Sequence, residues 1–130
     1  MKVKVYQLIV VNKNAGLNDR VCKFRVIGIV HGKIDDPDTI WDLTNHSCWT
    51  RREKPGITRD GKAKYYPGKH NRGYTNDDIC FKLGNLWYCA DSVGWTKVKT
   101  KEEAMRHLWE HSNWIKDFLP ETYKFEDIIQ

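Results

Sequence analysis

Two histidines, His107 and His111, lie four residues apart in a stretch whose pattern predicts a helix. At this spacing one side of a helix can offer two ligands to a metal ion, and His46 and Cys48 could complete a set of four. The stretch reads HLWEH, however, and lacks the glutamate of the HExxH motif, while His-x-Cys is not a usual zinc-site spacing. His111 also falls in the middle of the apolar stripe of the helix, which favours a core histidine with a satisfied hydrogen bond. We therefore expect no bound metal and no cofactor.

Other kinds of catalytic chemistry have weak support. The sequence contains neither GxxxxGK[ST] nor GxGxxG, the two glycine-rich phosphate-binding motifs. A nucleophilic Cys48 would need a neighbouring base, which the sequence does not identify. The acidic runs at 35–38 and 77–78 are typical of helix caps and turns. We therefore expect a protein that is not an enzyme.

A basic segment, Thr50–Gly73, carries the strongest functional signal. It has eight lysine and arginine residues against two acidic residues, a net charge of +6. Recurrent Pro-Gly, Asp-Gly and Asn-Arg-Gly turns and interleaved tyrosines predict a long loop or protruding hairpin presented by a folded scaffold. Cations mixed with aromatic rings suit contact with phosphates and stacking on bases. The candidate contact residues within it are Arg51, Arg52, Lys54, Arg59, Lys62, Lys64, Tyr65, Tyr66, Lys69 and Arg72.

Trp109 is a further candidate contact residue. The chain has six tryptophans, and on a helical wheel Trp109 lies off the apolar stripe of its helix. An exposed tryptophan is a frequent anchor at protein interfaces. The alternative is that Trp109 packs under the C-terminal tail.

These residues leave three functions open. The first is a non-enzymatic module that contacts nucleic acid or a nucleoprotein through the basic segment. The second is a small inhibitor or adaptor, of the kind that viruses of bacteria encode, which docks on a nucleic-acid-handling host enzyme by protein–protein contacts. The third is a binder of nucleotides or other small molecules, with aromatic rings around a base. Salt-dependent binding to nucleic acid separates the first from the second.

Alternating apolar residues predict the strands that would present this segment. Lys2–Val11 and Val21–His31 indicate two long strands, and Trp95–Lys99 a short one. Residues 79–90 indicate a hairpin with a two-residue Gly84-Asn85 turn of type II′. Its register places Cys80 opposite Cys89. One face of the hairpin is expected to be the core face, formed by Ile79, Phe81, Leu83, Leu86, Tyr88 and Ala90.

Two helices complete the predicted fold. Asp36 and Pro37 suit the N-cap and first position of a short helix, although a strand is possible there. Thr100 and Glu103 form a capping box before the main helix, which breaks near Ser112 and ends at Pro120. The expected fold is α+β: a single domain over residues 1–130, with a curled antiparallel sheet of about five strands and one main C-terminal helix packed on a face.

The expected compartment is the cytoplasm. The N-terminal stretch is typical of a strand and not of a signal peptide, and no apolar run approaches the ~20 residues of a membrane span. No two of the four cysteines have the CxxC spacing. We expect them to be free thiols, with Cys80 and Cys89 the first pair to oxidise in air.

Overall fold

The computed structural model describes residues 1–44, 56–68 and 78–130. In these ranges a single antiparallel sheet has the strand order β3-β4-β2-β1-β5-β6-β7. This confirms the α+β class and the antiparallel sheet; two strands formed by residues 56–67 raise the number to seven. The strands are β1 (Lys2–Val11), β2 (Val21–Gly32), β3 (Gly56–Ile57), β4 (Ala63–Pro67), β5 (Ile79–Leu83), β6 (Leu86–Ala90) and β7 (Trp95–Val98).

The helices begin and break where their sequence signals predict. Helix α1 (Pro37–Thr44) starts after Asp36, whose carboxylate accepts a hydrogen bond from the Thr39 amide at 3.2 Å. Helix α2 (Lys101–His111) starts after Thr100, whose hydroxyl accepts from the Glu103 amide at 3.1 Å. The chain breaks the helix at Ser112 and continues as the single turn α3 (Asn113–Lys116). The main C-terminal helix is therefore confirmed as α2.

Both faces of the sheet carry a core. Helices α2 and α3 cover one face, where Leu8, Phe24 and Leu108 belong to one buried cluster. Helix α1 covers the other face, where Val5 and Phe81 belong to a second cluster. The core is therefore divided into two layers by the sheet, and each helix buries a different set of alternating strand residues.

The β5–β6 hairpin has the predicted register, with Cys80 opposite Cys89 and Leu83 opposite Leu86. Gly84 has a φ of 66°, as the first central position of a type II′ turn requires. The expectation of one core face is too narrow, because Cys80, Cys89 and Trp87 on the other face are buried as well. They belong to the cluster under α2, so this second face of the hairpin is core at these three residues, whereas Lys82 on the same face is exposed.

The C-terminal tail is docked and extends the edge of β2. The Phe24 amide donates to the Ile129 carbonyl at 2.8 Å, and the Ile129 amide donates to the Cys22 carbonyl at 3.0 Å. The hydroxyl of Tyr123 accepts from the Cys22 amide at 2.9 Å. Phe125 is buried in the cluster under α2. The tail therefore closes this edge of the sheet with main-chain hydrogen bonds.

The described part of the basic segment belongs to the sheet. Residues 56–68 form β3, a turn and β4, and β4 pairs with β2 along its whole length, from Ala63 opposite Gly32 to Pro67 opposite Gly28. Of the two predicted forms, a long loop or a protruding hairpin, this part is a hairpin. It lies within the sheet instead of protruding from it. Residues 50–55 and 69–73 lie outside the described residues.

Cys80 and Cys89 are the pair that we expect to oxidise first. They face each other across a non-hydrogen-bonded position, where α carbons lie about 4.5 Å apart, a spacing that suits a disulfide. Both side chains are buried, and burial raises the pKa of the Cys80 thiol well above its usual value. Because the thiolate is the nucleophile, oxidation by diamide should be slow at neutral pH and become faster as pH rises beyond 9.

Non-reducing peptide mapping after diamide treatment checks this pairing. A Cys80–Cys89 peptide should appear before any other intrachain bond, and Cys22→Ala should leave its rate unchanged. A first bond that joins Cys22 to either residue would contradict the prediction.

Candidate functional site

The turn between β3 and β4 presents two of the predicted contact residues, Arg59 and Lys62. The Asp60 carboxylate holds this turn, since it accepts hydrogen bonds from the Thr58 hydroxyl at 2.6 Å and from the Lys62 amide at 2.9 Å. These bonds, with that from Thr58 the larger cause, lower the pKa of Asp60. The side chains of Arg59 and Lys62 are exposed, so both are available to a partner.

Tyr65 is not available to a partner, which corrects its assignment as a contact residue. Its side chain is 0% exposed, and its hydroxyl donates a hydrogen bond to the Ile27 carbonyl at 3.1 Å. The ring occupies the space above Gly28, where an added β carbon would lie 2.0 Å from the Tyr65 hydroxyl oxygen. Burial raises the pKa of Tyr65, so the hydroxyl stays protonated and able to donate. Tyr65 is a core residue of the α1 face of the sheet.

Lys64 and Tyr66 lie on the opposite face from Tyr65, because side chains alternate along β4. Lys64 pairs with His31, and Tyr66 pairs with Ile29. Tyr66 is 44% exposed, and its ring meets the exposed His31 ring edge-on at 5.5 Å between centroids. Two aromatic rings are thus accessible on this part of the sheet.

A groove continues this surface across β1, β5 and β6. It has a volume of about 310 Å³ and an open mouth. Its lining residues combine three ammonium groups with two aromatic side chains. They are Lys2, Lys4, Tyr6, Lys82 and Trp87.

The strand pairing explains why these residues meet. Lys2 pairs with His31 and Lys4 with Ile29, so the exposed N-terminal half of β1 shares a face with the Tyr66 side of β4. On the other side of β1, Tyr6 pairs with Cys80, which places Lys82 two residues further along β5 on this same face. We call this surface the basic face. It consists of Lys2, Lys4, His31, Lys64, Tyr66 and Lys82.

The basic face is the part of the α2 side of the sheet that α2 and α3 leave uncovered. Leu8 and Val10, further along β1, are buried under those helices, whereas Lys2 and Lys4 are exposed. Tyr6 marks the boundary: its ring stacks on Phe24 at 4.8 Å, and the Lys101 ammonium lies 5.3 Å from its centroid. Burial raises the pKa of the Tyr6 hydroxyl, which therefore remains a donor at the edge of the groove.

The charge on the basic face is of one sign. The described strand residues on this side of the sheet include no aspartate or glutamate. Lys2, Lys4 and Lys82 come from strands β1 and β5, and Lys64 comes from β4. Lysines that share a surface with no acidic strand residue among the described ones produce a positive potential that attracts anions.

Trp109 packs under the C-terminal tail. Its ring lies 6.1 Å from that of Tyr123, and the Lys116 ammonium lies 4.9 Å from its centroid. Trp109 is half-buried against the cluster that holds α2, α3 and the tail together. These contacts favour a role in packing over the predicted role as an anchor for a partner.

One of the two histidines, His111, differs from expectation. His111 is exposed instead of lying in the core, because α2 ends at His111 and the chain turns before α3 begins. His107 is half-buried, with its Nε2 atom 2.8 Å from the Asp91 carboxylate. The remaining candidates for a metal site, His46 and Cys48, lie outside the described residues, as do five of the contact residues: Arg51, Arg52, Lys54, Lys69 and Arg72.

Sequence reasoning missed the lysines of β1 and β5. The alternation of Lys2 and Lys4 with Val3 and Val5 was visible in the sequence and marks one polar face of β1. Their meeting with Lys82 depends on β1 lying between β2 and β5, and this non-local order has no signal in the sequence.

Comparison of the chain with models of protein families, with curated proteins and with solved structures found no match. Within the described residues, none of the helices combines the length and the apolar character that crossing a membrane requires. Function must therefore be inferred from the geometry and charge of the surface itself.

Proposed function

We propose that this protein is a non-enzymatic module that binds single-stranded nucleic acid across the basic face. The observation that carries the proposal is the combination on one open sheet face of four lysines, two accessible aromatic rings and no acidic strand residue among those described. Proteins that bind single strands combine a positive groove that follows the backbone with rings on which bases stack.

The lysines are spread widely enough to contact several phosphates. Lys64 lies on β4 and Lys82 on β5, which are separated in the sheet by β2 and β1. Neighbouring strands lie about 4.8 Å apart, so these two positions are about 14 Å apart across the sheet. Lys2 and Lys4 lie between them on β1. A strand of nucleic acid crossing the face would therefore meet successive ammonium groups.

The aromatic rings favour an unpaired strand over a duplex. Tyr66 and His31 are exposed next to the lysines, and a flat ring can stack on a base whose face is free. In a duplex the base faces are covered by neighbouring bases, which leaves only phosphate contacts. Stacking is worth about 1–3 kcal/mol per base, so it would give a measurable preference for single strands.

The basic segment carries additional positive charge in and around β3 and β4 along the sequence. Lys54 precedes Gly56, the first residue of β3, by two positions, and Lys69 follows Pro67, the last residue of β4, by two positions. In the turn between these strands, Arg59 and Lys62 are exposed. We assign these cations, together with Arg51, Arg52 and Arg72, to phosphate contacts that add to affinity without reading the bases.

Salt-dependent binding of a fluorescent oligothymidylate tests the proposal. At ~50 mM salt we expect binding by fluorescence anisotropy, and log K should fall with log salt at a slope of about −0.7 per phosphate contacted, or about −3 for four lysines. A duplex of equal length should bind more weakly, since it offers no free base faces.

Two outcomes would contradict this function. Failure to bind either oligonucleotide at low salt would reject nucleic acid as the partner and favour the inhibitor or adaptor, in which the same lysines would meet an acidic groove of an enzyme. Equal binding of duplex and single strand would reject the stacking role of Tyr66 and His31.

A further inference from the structure

Asp91, His107 and His111 form a cluster that the basic face does not use. Asp91 follows β6, and the two histidines lie one turn apart on α2. One nitrogen from each ring and one Asp91 oxygen all lie within 4.8 Å of one another. The His107 and His111 rings are stacked at 4.1 Å with 22° between their planes. The fold thus brings the aspartate that follows β6 to a histidine pair whose spacing suits metal binding.

We infer that Asp91, His107 and His111 bind one divalent transition-metal ion of the zinc type. Two imidazole nitrogens and a carboxylate oxygen are three ligands of the kinds that zinc prefers, and water would complete a tetrahedron. This revises the expectation that no metal binds, which rested on the missing glutamate of HExxH, on the unusual His-x-Cys spacing and on His111 being a core residue.

Hydrogen bonds around the cluster orient the proposed ligands, as secondary hydrogen bonds do in known metal sites. The His111 Nδ1 atom donates to the His107 carbonyl at 2.8 Å, which leaves its Nε2 lone pair for a metal. The Thr96 hydroxyl donates to the Asp91 oxygen that does not contact His107. Metal-binding histidines and carboxylates usually have such secondary partners, which fix tautomer and orientation. Two of the three proposed ligands therefore already have them.

The charge state of Asp91 suits the same role. Burial acts to raise the pKa of Asp91, but hydrogen bonds from Thr96 and His107, together with the charges of His107 and His111, lower it overall. The carboxylate is thus ionised at neutral pH.

Binding requires a small rearrangement. The ion takes the place of the proton between His107 Nε2 and Asp91 Oδ1, which now lie 2.8 Å apart. The neutral imidazole then carries its single proton on Nδ1, the other tautomer, so that the Nε2 lone pair faces the ion. Two ligand atoms on a tetrahedral zinc ion lie about 3.3–3.5 Å apart, given metal–ligand bonds of about 2.0–2.2 Å. His111 is exposed, so its ring can rotate toward the ion without disturbing the core.

Cobalt(II) is the probe that tests the site, because tetrahedral Co²⁺ absorbs visible light where Zn²⁺ does not. Chelator-treated protein at pH 7.5 should bind one Co²⁺ per chain with a visible band, and Zn²⁺ should displace it. His111→Ala should weaken binding at least tenfold, and Asp91→Asn should do the same. His31→Ala removes an exposed histidine far from the cluster and is the matched control, with unchanged affinity expected.

A thermal readout keeps the test independent of the spectrum. Saturating Zn²⁺ should raise the melting temperature of the wild type and of His31→Ala but not of His111→Ala, since a ligand stabilises only the fold that binds it. Absence of both the visible band and the thermal shift in the wild type would overturn the inference. Loss of binding in His46→Ala or Cys48→Ser with full retention in His111→Ala would overturn it as well, because the ion would then be held elsewhere.

Discussion

Replacing Lys2, Lys4 and Lys82 together with alanine is expected to weaken the binding of single-stranded nucleic acid about 30- to 100-fold at ~50 mM salt. The three ammonium groups line one groove and come from two neighbouring strands. An exposed ion pair contributes up to about 1 kcal/mol, and each 1.4 kcal/mol is a factor of about ten in affinity. Three lost contacts thus account for the expected change.

The salt dependence should change along with the affinity. Each phosphate contact on a single strand contributes about −0.7 to the slope of log K against log salt, so the triple variant should have a slope shallower by about 2. The three side chains are exposed, and their removal should leave the melting temperature nearly unchanged. Fluorescence anisotropy over a range of salt concentrations measures both quantities.

A control variant removes the same amount of charge elsewhere. Lys97, Lys116 and Lys124 are exposed on β7, on α3 and in the C-terminal tail, and none of them belongs to the basic face. Their replacement with alanine should weaken binding less than about threefold, since only the long-range field is reduced. If both triple variants bind equally weakly, net charge and not the basic face determines affinity, and the proposed site is wrong.

A companion variant separates stacking from charge. Tyr66→Ala removes an exposed ring and no charge, so it should lower affinity for the single strand about 5- to 100-fold while leaving the salt slope unchanged. It should not alter binding of a duplex. If Tyr66→Ala lowers the affinity for single strand and duplex equally, Tyr66 does not stack on bases and acts only through the shape of β4.

Local patterns predicted the elements but not the surface that they build. Strand β1 was predicted with both of its bounds, and the β5–β6 register was predicted in full, because alternation and a two-residue turn are properties of adjacent residues. The basic face needed the order of four strands. That order depends on pairing between residues 31 to 39 positions apart for β2 and β4, and 72 to 76 positions apart for β1 and β5. The prediction that cations and aromatic rings meet on one surface stays a prediction for residues 50–55 and 69–73.

For His111 the prediction of a helix was correct, but the predicted burial of its side chain was wrong. A single helical wheel from Ala104 to Ile115, both of which are buried, places His111 on the same apolar stripe. Ser112, with φ −107° and ψ 64°, interrupts the helix, so Ile115 belongs to α3 and its direction is not in phase with α2. His111, the last residue of α2, is therefore free to face Asp91 and solvent. Whether His111 is buried or exposed therefore depends on the backbone conformation at Ser112.

Tyr65 and Tyr66 pose a different difficulty. Alternation along β4 places them on opposite faces, but it does not say which one is buried. The pairing of β4 with β2 decides this, because Gly28 leaves a space on the α1 side of the sheet that the Tyr65 ring fills. The energetic coupling of Gly28 and Tyr65 is therefore a direct test of the register of β4.

Gly28→Ala is expected to destabilise the protein by about 2–4 kcal/mol. The added β carbon would lie 2.0 Å from the Tyr65 hydroxyl oxygen and 2.2 Å from Cζ of the ring, distances that require the ring to move. Overpacking of a core costs about 1–3 kcal/mol, and loss of the Tyr65 hydrogen bond to the Ile27 carbonyl costs about 1 kcal/mol more. The melting temperature should fall by about 10 °C. Gly16→Ala is the control, since its β carbon would meet nothing closer than 3.7 Å.

A double-mutant cycle with Tyr65→Ala identifies the cause. Tyr65→Ala alone should cost about 3–5 kcal/mol, because it removes a buried aromatic ring. In that background Gly28→Ala should cost less than about 0.5 kcal/mol, since the new methyl group enters the space that the ring has left. Urea unfolding of the four proteins measures the coupling. If Gly28→Ala is equally destabilising with and without the ring, then Tyr65 does not fill the space above Gly28. The register that places Lys64 and Tyr66 on the basic face would then be wrong as well.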